Sequence, residues 1–206
     1  MITPEAQQHE ISLLIANAIR EDVGDGDHSA LACVPETAVG KAQLLVKEVG
    51  IIAGVAFALQ VFTYVDSGLE VDVHIPDGTA VSPGDIVLTV SGSSQAILKA
   101  ERLVLNAMQR MSAVATKTAQ YVKLLSGTDT KLLDTRKTTP GLRALEKYAV
   151  KKGGGYNHRY NLSDEILIKD NHISASGDFR ELVKKAVKTK KLVTVEIENI
   201  NQLKQV

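Results

Sequence analysis

Between Ala96 and Leu125 the apolar residues Val104, Met108, Met111, Ala115, Ala119 and Val122 step by three or four positions. That is the period of an α-helix with one apolar face. The stripe reads as ordinary core, and a helix of this length links two halves of the chain. Ahead of it, Ile11, Leu14, Ile15, Ala18 and Ile19 keep helical spacing until about Val23, where Gly24-Asp25-Gly26-Asp27 cannot sustain a helix. Residues 42–46, 69–74 and 85–90 read as strands around a helix at 55–65, an α+β layer.

Beyond the long helix the pattern changes. Residues 131–135, 166–169 and 192–198 are strand-like, with helical segments at 142–151 and 179–188 between them. Strands alternating with helices imply parallel βα units in a right-handed barrel or wound sheet. Only three such strands are present, and the chain stops in what reads as the helix after the third. A closed barrel needs more, so the chain is expected to be a C-terminally truncated form.

The 206 residues, 44% apolar, suffice for a substantial core in one domain or two. No apolar run approaches the roughly 18 residues of a membrane span, and 1–8 lacks the basic-then-apolar order of a signal peptide. A cytoplasmic protein without membrane contact is expected. The zero net charge conceals a division: residues 1–130 hold 8 Lys and Arg against 15 Asp and Glu, whereas 131–191 hold 15 against 7. The basic part has few aromatics to stack bases, and its charges sit inside strand and helix patterns, which argues against nucleic acid and for a pocket that takes small anions.

Several local features have modest readings. The single cysteine, Cys33, cannot close an intramolecular disulfide and is expected to be a small buried apolar residue. Asp22, Asp25 and Asp27 lack the spacing and distal glutamate of an EF-hand and read as a solvated turn. Residues 76–85 are similar to the turns of biotinyl and lipoyl carrier domains, but no lysine stands at a hairpin tip.

In parallel βα folds ligands bind at the C-terminal ends of the strands. Each expected strand here ends in polar chemistry: Asp134-Thr135-Arg136-Lys137 before Pro140-Gly141, Lys169-Asp170-Asn171-His172, and Glu196-Ile197-Glu198-Asn199. Alternation places Thr194, Glu196 and Glu198 on one strand face, so both glutamates would point into a barrel interior and require partners such as Arg136, Lys137, Lys169 or a bound magnesium ion. A structural ion-pair network explains them equally well. Arginine suits bidentate contact with carboxylates and lysine serves as a point charge for phosphate. Arg136, Arg159, Lys137, Lys169 and His158 therefore suit a ligand with several negative groups. Gly153-Gly154-Gly155 could bring backbone amides to an anion, or simply form the loop after a helix.

The runs Glu101-Arg102-Leu103-Val104-Leu105-Asn106, Asp134 to Gly141, Leu145-Glu146-Lys147-Tyr148-Ala149-Val150, Gly153 to Arg159 and Leu167 to His172, in that order, resemble the quinolinate phosphoribosyltransferase family. The resemblance covers essentially the whole chain, including Glu21 to Asp27. It implies an α/β protein: an N-terminal α+β domain with the linking helix, residues 1–110, packed on an incomplete α/β barrel, residues 111–206, of the type II phosphoribosyltransferase kind. It implies a homodimer or higher homo-oligomer in which Arg102 reaches the neighbouring subunit's pocket. Thr135, Arg136, His158, Arg159 and Lys169 match positions that bind quinolinate, Lys137 one shared with the phosphoribosyl donor, and Glu198 an acidic residue near the ribose and Mg²⁺. Lys137 and Glu198 are the positions matched to catalysis.

The implied reaction joins quinolinate to phosphoribosyl pyrophosphate, with loss of carbon dioxide and pyrophosphate, to give nicotinate mononucleotide for NAD biosynthesis. The family pattern continues past the third strand with a further aspartate-bearing strand and glycine-rich phosphate loops. A chain ending before them is expected to turn over slowly or not at all. The alternative is a non-catalytic homologue that binds quinolinate or assembles without turnover.

Overall fold

The computed structural model describes residues 4–205. By its internal contacts the chain divides into a first unit, residues 4–158, and a second, residues 159–205.

The first unit opens with α1 (Pro4–Val23) and α2 (His28–Cys33). The acidic turn between them is a capping device, not a cation loop: Asp27 accepts from the Ala30 N–H at 3.0 Å at the start of α2. Cys33 is exposed, contrary to the sequence expectation, because it ends this short helix, whose buried residue is Ala30. Strands β1 (Val39–Leu45), β3 (Glu70–Val73) and β5 (Ile86–Ser93) form an antiparallel sheet in the order β1-β5-β3. A second pair, β2 (Gly50–Ile51) with β4 (Ala80–Val81), flanks α3 (Val55–Val65) in the chain.

Strand β5 lies between two partners, and Val87 to Val90 are buried in succession, so the alternation of a half-exposed strand is lost there. Helix α3 starts where Asp77 accepts from the Val55 and Ala56 N–H groups at 2.8 and 3.1 Å. The turn at 76–85 thus has a structural task.

From β5 the chain enters α4 (Ser94–Leu124) without a connecting loop, and Ser93 caps it through Ala96 N–H at 3.3 Å. Val104, Met108, Met111 and Ala115 of the anticipated stripe are buried, joined N-terminally by Ile97 and Ala100. With α3, β5 and Leu145 and Ala149 of α5 (Arg143–Lys152) they form the core of this unit.

Residues 131–135 do not form a strand. They contribute only the isolated parallel bridge Leu133↔Tyr156. A strand requires a continuous hydrogen-bonded partner, which this segment lacks among the described residues.

The glycine run is a packing feature. Gly153 has φ −79°, open to any residue, yet a Cβ there would overlap the Ala115 carbonyl oxygen on α4 and lie 2.7 Å from Thr118 Cβ. Only glycine lets α5 end against α4 so closely.

The second unit contains β6 (Ile166–Ile168), α6 (Asp170–Ser176), α7 (Phe179–Lys188), β7 (Val193–Val195) and α8 (Ile200–Leu203). β6 and β7 pair in parallel, Ile166 opposite Val193 and Ile168 opposite Val195, with α6 and α7 as the crossover. The expected βα unit forms, but β7 stops at Val195. Glu196 and Glu198 therefore lie beyond it and are exposed, so the expectation that strand alternation turns them into a barrel interior fails.

Gly153→Ala should destabilise the protein by about 1–3 kcal/mol, the usual cost of overfilling a packed contact, because its Cβ would meet the backbone of α4; urea unfolding of the variant against wild type checks this.

Candidate functional site

Candidate site residues of the first unit gather where α5 faces the segment before it. Asp134 N–H donates to the Tyr156 carbonyl at 3.0 Å, and Tyr156 N–H donates to the Leu132 carbonyl at 2.8 Å. This brings the Asp134 carboxylate against the segment at 156–158. Its Oδ1 accepts from Lys147 Nζ at 2.5 Å and from His158 N–H at 2.9 Å. Lys147 Nζ also donates to the His158 carbonyl at 3.1 Å. Asn157, with its amide nitrogen turned toward these acceptors, donates to Asp134 Oδ2 and the Lys147 carbonyl, both at 2.9 Å. The Lys147 and Asp134 side chains are only 2% and 7% exposed. Charges so deeply buried persist only as a hydrogen-bonded pair.

The loop continues through Thr135, Arg136 and Lys137. Thr135 Oγ1 accepts from Lys137 N–H at 3.0 Å, which tightens the bend. Helix α5 fastens the rest. Arg143 donates from Nε to Thr138 Oγ1 at 3.1 Å and from Nη2 to the Arg136 carbonyl at 3.4 Å. Glu146 Oε2 accepts from Thr139 N–H at 3.2 Å, and its Oε1 accepts from Nε and Nη2 of Arg110 on α4 at 3.1 and 2.8 Å. Arg110 Nη2 also donates to Thr139 Oγ1 at 2.9 Å. Residues 143, 146 and 147 are three and four apart, so one face of α5 serves the whole loop.

Burial acts to raise the pKa of Glu146, but the hydrogen bonds from Arg110 and Thr139 outweigh it and hold the group below the ordinary glutamate value. In the same helix, burial and then the hydrogen bond to Asp77 push the Tyr148 hydroxyl well above the ordinary tyrosine value. Tyr148 Oη donates to Asp77 Oδ2 at 2.8 Å, so the residue that caps α3 also ties down α5.

Arg136 Nε is buried and has no hydrogen-bond partner among the described residues, while Lys137 and Thr135 are exposed. A buried N–H without an acceptor is costly, and a guanidinium fork matches a carboxylate. Arg102 is exposed on α4, two turns and about 12 Å along the axis from Arg110.

In the second unit Arg159 is buried and donates from Nη1 to the Glu165 carbonyl at 3.3 Å. Lys169 follows β6, and its Nζ lies 2.8 Å from Glu196 Oε1, so a partner expected for one glutamate is present. Glu198 is exposed in the bend after β7, and its N–H donates to Gln202 Oε1 at 2.7 Å. No group of three or more His, Cys, Asp or Glu placed to hold a metal ion occurs among the described residues.

Two family models match the chain: the quinolinate phosphoribosyl transferase N-terminal domain over residues 27–112 and the C-terminal domain over 114–206. The chain belongs to the quinolinate phosphoribosyltransferase family. It is 41% identical over 199 residues to a Bacillus subtilis protein named probable nicotinate-nucleotide pyrophosphorylase (carboxylating), covering 95% of this chain and 68% of that one. A chloroplastic nicotinate-nucleotide pyrophosphorylase (carboxylating) of Arabidopsis thaliana is 42% identical over 210 residues, with 98% of this chain and 60% of the relative covered. Among solved structures, NadC from Streptococcus pyogenes superposes with a TM-score of 0.89 at 40% identity, over 98% of this chain and 71% of that one. The chain thus spans between 60% and 71% of the length of these relatives.

For this quinolinate phosphoribosyltransferase family member, the sequence-derived residues Thr135, Arg136, Lys137 and His158 come together around the Asp134–Lys147 pair, and Arg102 stands apart on α4. Arg159, Lys169 and Glu198 belong to the second unit. Sequence reading did not assign roles to Lys147, Glu146, Arg143 or Arg110. The one available signal was the run of charges at 143, 146 and 147 on a single face of a helix whose other residues are largely apolar. Its partners could not be read without the fold.

Because the folded-state pKa of Glu146 is depressed, its ionised form should add stability above the unfolded-state value of about 4.3, and that contribution should disappear as pH falls through the lower folded-state value. The Tm difference between wild type and Glu146→Gln should be largest near neutrality and shrink below about pH 4.5; thermal melts across that range measure it.

Proposed function

We propose that this sequence belongs to an enzyme of the reaction for which its relatives are named: transfer of a phosphoribosyl group from phosphoribosyl pyrophosphate to quinolinate with decarboxylation, giving nicotinate mononucleotide, carbon dioxide and pyrophosphate in NAD biosynthesis. The observation that carries the reading is the 134–139 loop. It is fastened to α5, with a buried Arg136 Nε that lacks a partner among the described residues and an exposed Lys137 beside it. A rigid loop bearing a guanidinium and an ammonium fits a substrate with two carboxylates and a co-substrate rich in phosphate.

In this reading Thr135, Arg136 and His158 recognise quinolinate and Lys137 meets the phosphoribosyl donor, while Arg159 and Lys169 are assigned to quinolinate by the family resemblance. As the ring nitrogen attacks the anomeric carbon and pyrophosphate leaves, positive charge develops on the ribose. A carboxylate such as Glu198 stabilises it, while Lys137 offsets charge on the leaving group. Orientation of the two reactants supplies much of the acceleration, since no protein nucleophile is needed. The ring carboxylate adjacent to the newly alkylated nitrogen then leaves as carbon dioxide, its electron pair stabilised as an ylide that takes a proton.

Mg²⁺ of this kind is held by one or two carboxylates together with substrate phosphates, so a single exposed Glu198 suits it, and the ion would supply charge neutralisation at the pyrophosphate. A homo-oligomer belongs to the proposal, with the exposed Arg102 of α4 available to a neighbouring subunit. So does a cytoplasmic setting. No helix among the described residues is long and apolar enough to cross a membrane.

Calorimetry should show quinolinate binding in preference to nicotinate, which lacks one carboxylate; equal affinity, or none for quinolinate, would overturn the substrate assignment. Arg136→Lys should weaken quinolinate binding by about ten- to a hundredfold although charge is preserved, as expected for loss of a charge-assisted bidentate contact worth roughly 1.5–3 kcal/mol.

A further inference from the structure

We propose that the buried Asp134–Lys147 pair is the positioning device of the anion-binding loop: it fixes where the loop begins relative to the 156–158 segment, and thereby sets the placement of Arg136 and Lys137 for substrate. The inference rests on the reading of that loop as the quinolinate site.

Three observations carry it. The first is topological. Asp134 immediately precedes Thr135, Arg136 and Lys137, yet residues 131–135 do not form a strand, and the backbone there is held by the single bridge Leu133↔Tyr156. A loop leaving a continuous sheet would inherit its position from ladder hydrogen bonds. Here a side-chain bridge takes that place.

The second is connectivity. One carboxylate receives Lys147 Nζ, His158 N–H and the Asn157 amide, and the same ammonium reaches the His158 carbonyl. Three separate stretches of chain, at 134, 147 and 157–158, therefore meet at one ion pair. The other fastenings from α5, Arg143 to Thr138 and to the Arg136 carbonyl and Glu146 to Thr139, act on the loop beyond Thr135 and do not tie it to the 156–158 segment.

The third is burial. With 2% and 7% of their side chains exposed, Lys147 and Asp134 are closed off from a ligand in solution, so they act through the residues they hold. A buried lysine is also an expensive way to fill a core position, which apolar residues of the same volume occupy at no desolvation cost. The pair stands where it does because its hydrogen bonds are directional.

The test compares wild type, Lys147→Met and the double variant Asp134→Asn/Lys147→Met in the full chain, by thermal melting, hydrogen exchange of the 134–139 amides and quinolinate calorimetry. Lys147→Met leaves a buried carboxylate without its counter-charge and should lower the Tm, raise loop exchange and weaken quinolinate binding at least tenfold. The double variant removes the unbalanced charge, so its Tm should return toward wild type. Loop exchange should remain raised and affinity at least tenfold reduced, because a methionine side chain has no donor for the group at position 134 or for the His158 carbonyl. Stability and affinity then part company, which a merely structural pair would not produce. Recovery of loop protection and affinity together with the Tm overturns the proposal. If Lys147→Met does not fold, the double variant decides the matter by the same readouts. If wild type itself binds no quinolinate, the substrate assignment fails separately, and loop exchange in the double variant decides: raised exchange supports the positioning role, and wild-type exchange overturns it.

Discussion

A carboxylate and an ammonium withdrawn from water, Asp134 and Lys147, hold the junction on which the candidate site of the first unit depends. Neither charge could remain buried alone, since each loses several kcal/mol of hydration that only its partner and further hydrogen bonds offset. The additional donors from His158 and Asn157 bring the carboxylate to three hydrogen bonds, on both of its oxygens. This couples the loop carrying Arg136 and Lys137 to the segment carrying His158, so that the cationic side chains start from a hydrogen-bonded base.

That base is in turn set by the packing of α5. Its apolar face, Leu145 and Ala149, joins the core around α4 and α3, and its C-terminus closes on α4 where Gly153 permits backbone contact. Tyr148 ties the helix to Asp77, the residue that caps α3. Arg110, on α4, completes the connection by clasping Glu146 and Thr139. The N-terminal α+β layer is therefore more than a companion to the loop: through α4 and α5 it sets where the loop sits. Charged groups do the fastening at the edge of the core, and close apolar packing beneath them limits how far the fastening can shift.

Much of the fold was legible because long amphipathic segments announce themselves. The stripe through Val104, Met108, Met111 and Ala115, the helices at 55–65 and 179–188 and the parallel pairing of β6 with β7 all follow from periodicity and from strand–helix alternation. Short elements were less legible. The helix at 28–33 and the helix at 170–176 have too few residues to show a period, and 131–135 has strand-like composition without a continuous neighbour to pair with. Cys33 was expected inside because its residue type is usually buried, and its exposure depends on where a six-residue helix ends. For Glu196 and Glu198 the alternation rule failed for a simple reason: it holds only while the strand lasts, and β7 lasts three residues.

The sequence by itself determined the family, the two structural classes along the chain and the set of cationic residues suited to an anionic ligand, because these are properties of residue type, order and spacing. Only the tertiary structure decided which of them stand together, that Lys147 is a buried partner of Asp134 and no surface charge, that Gly153 serves close packing against α4, and that Glu196 meets Lys169. Such assignments depend on distances between residues far apart in the chain and on access to water. Neither quantity is encoded in local pattern, and both are settled only when the helices and strands pack.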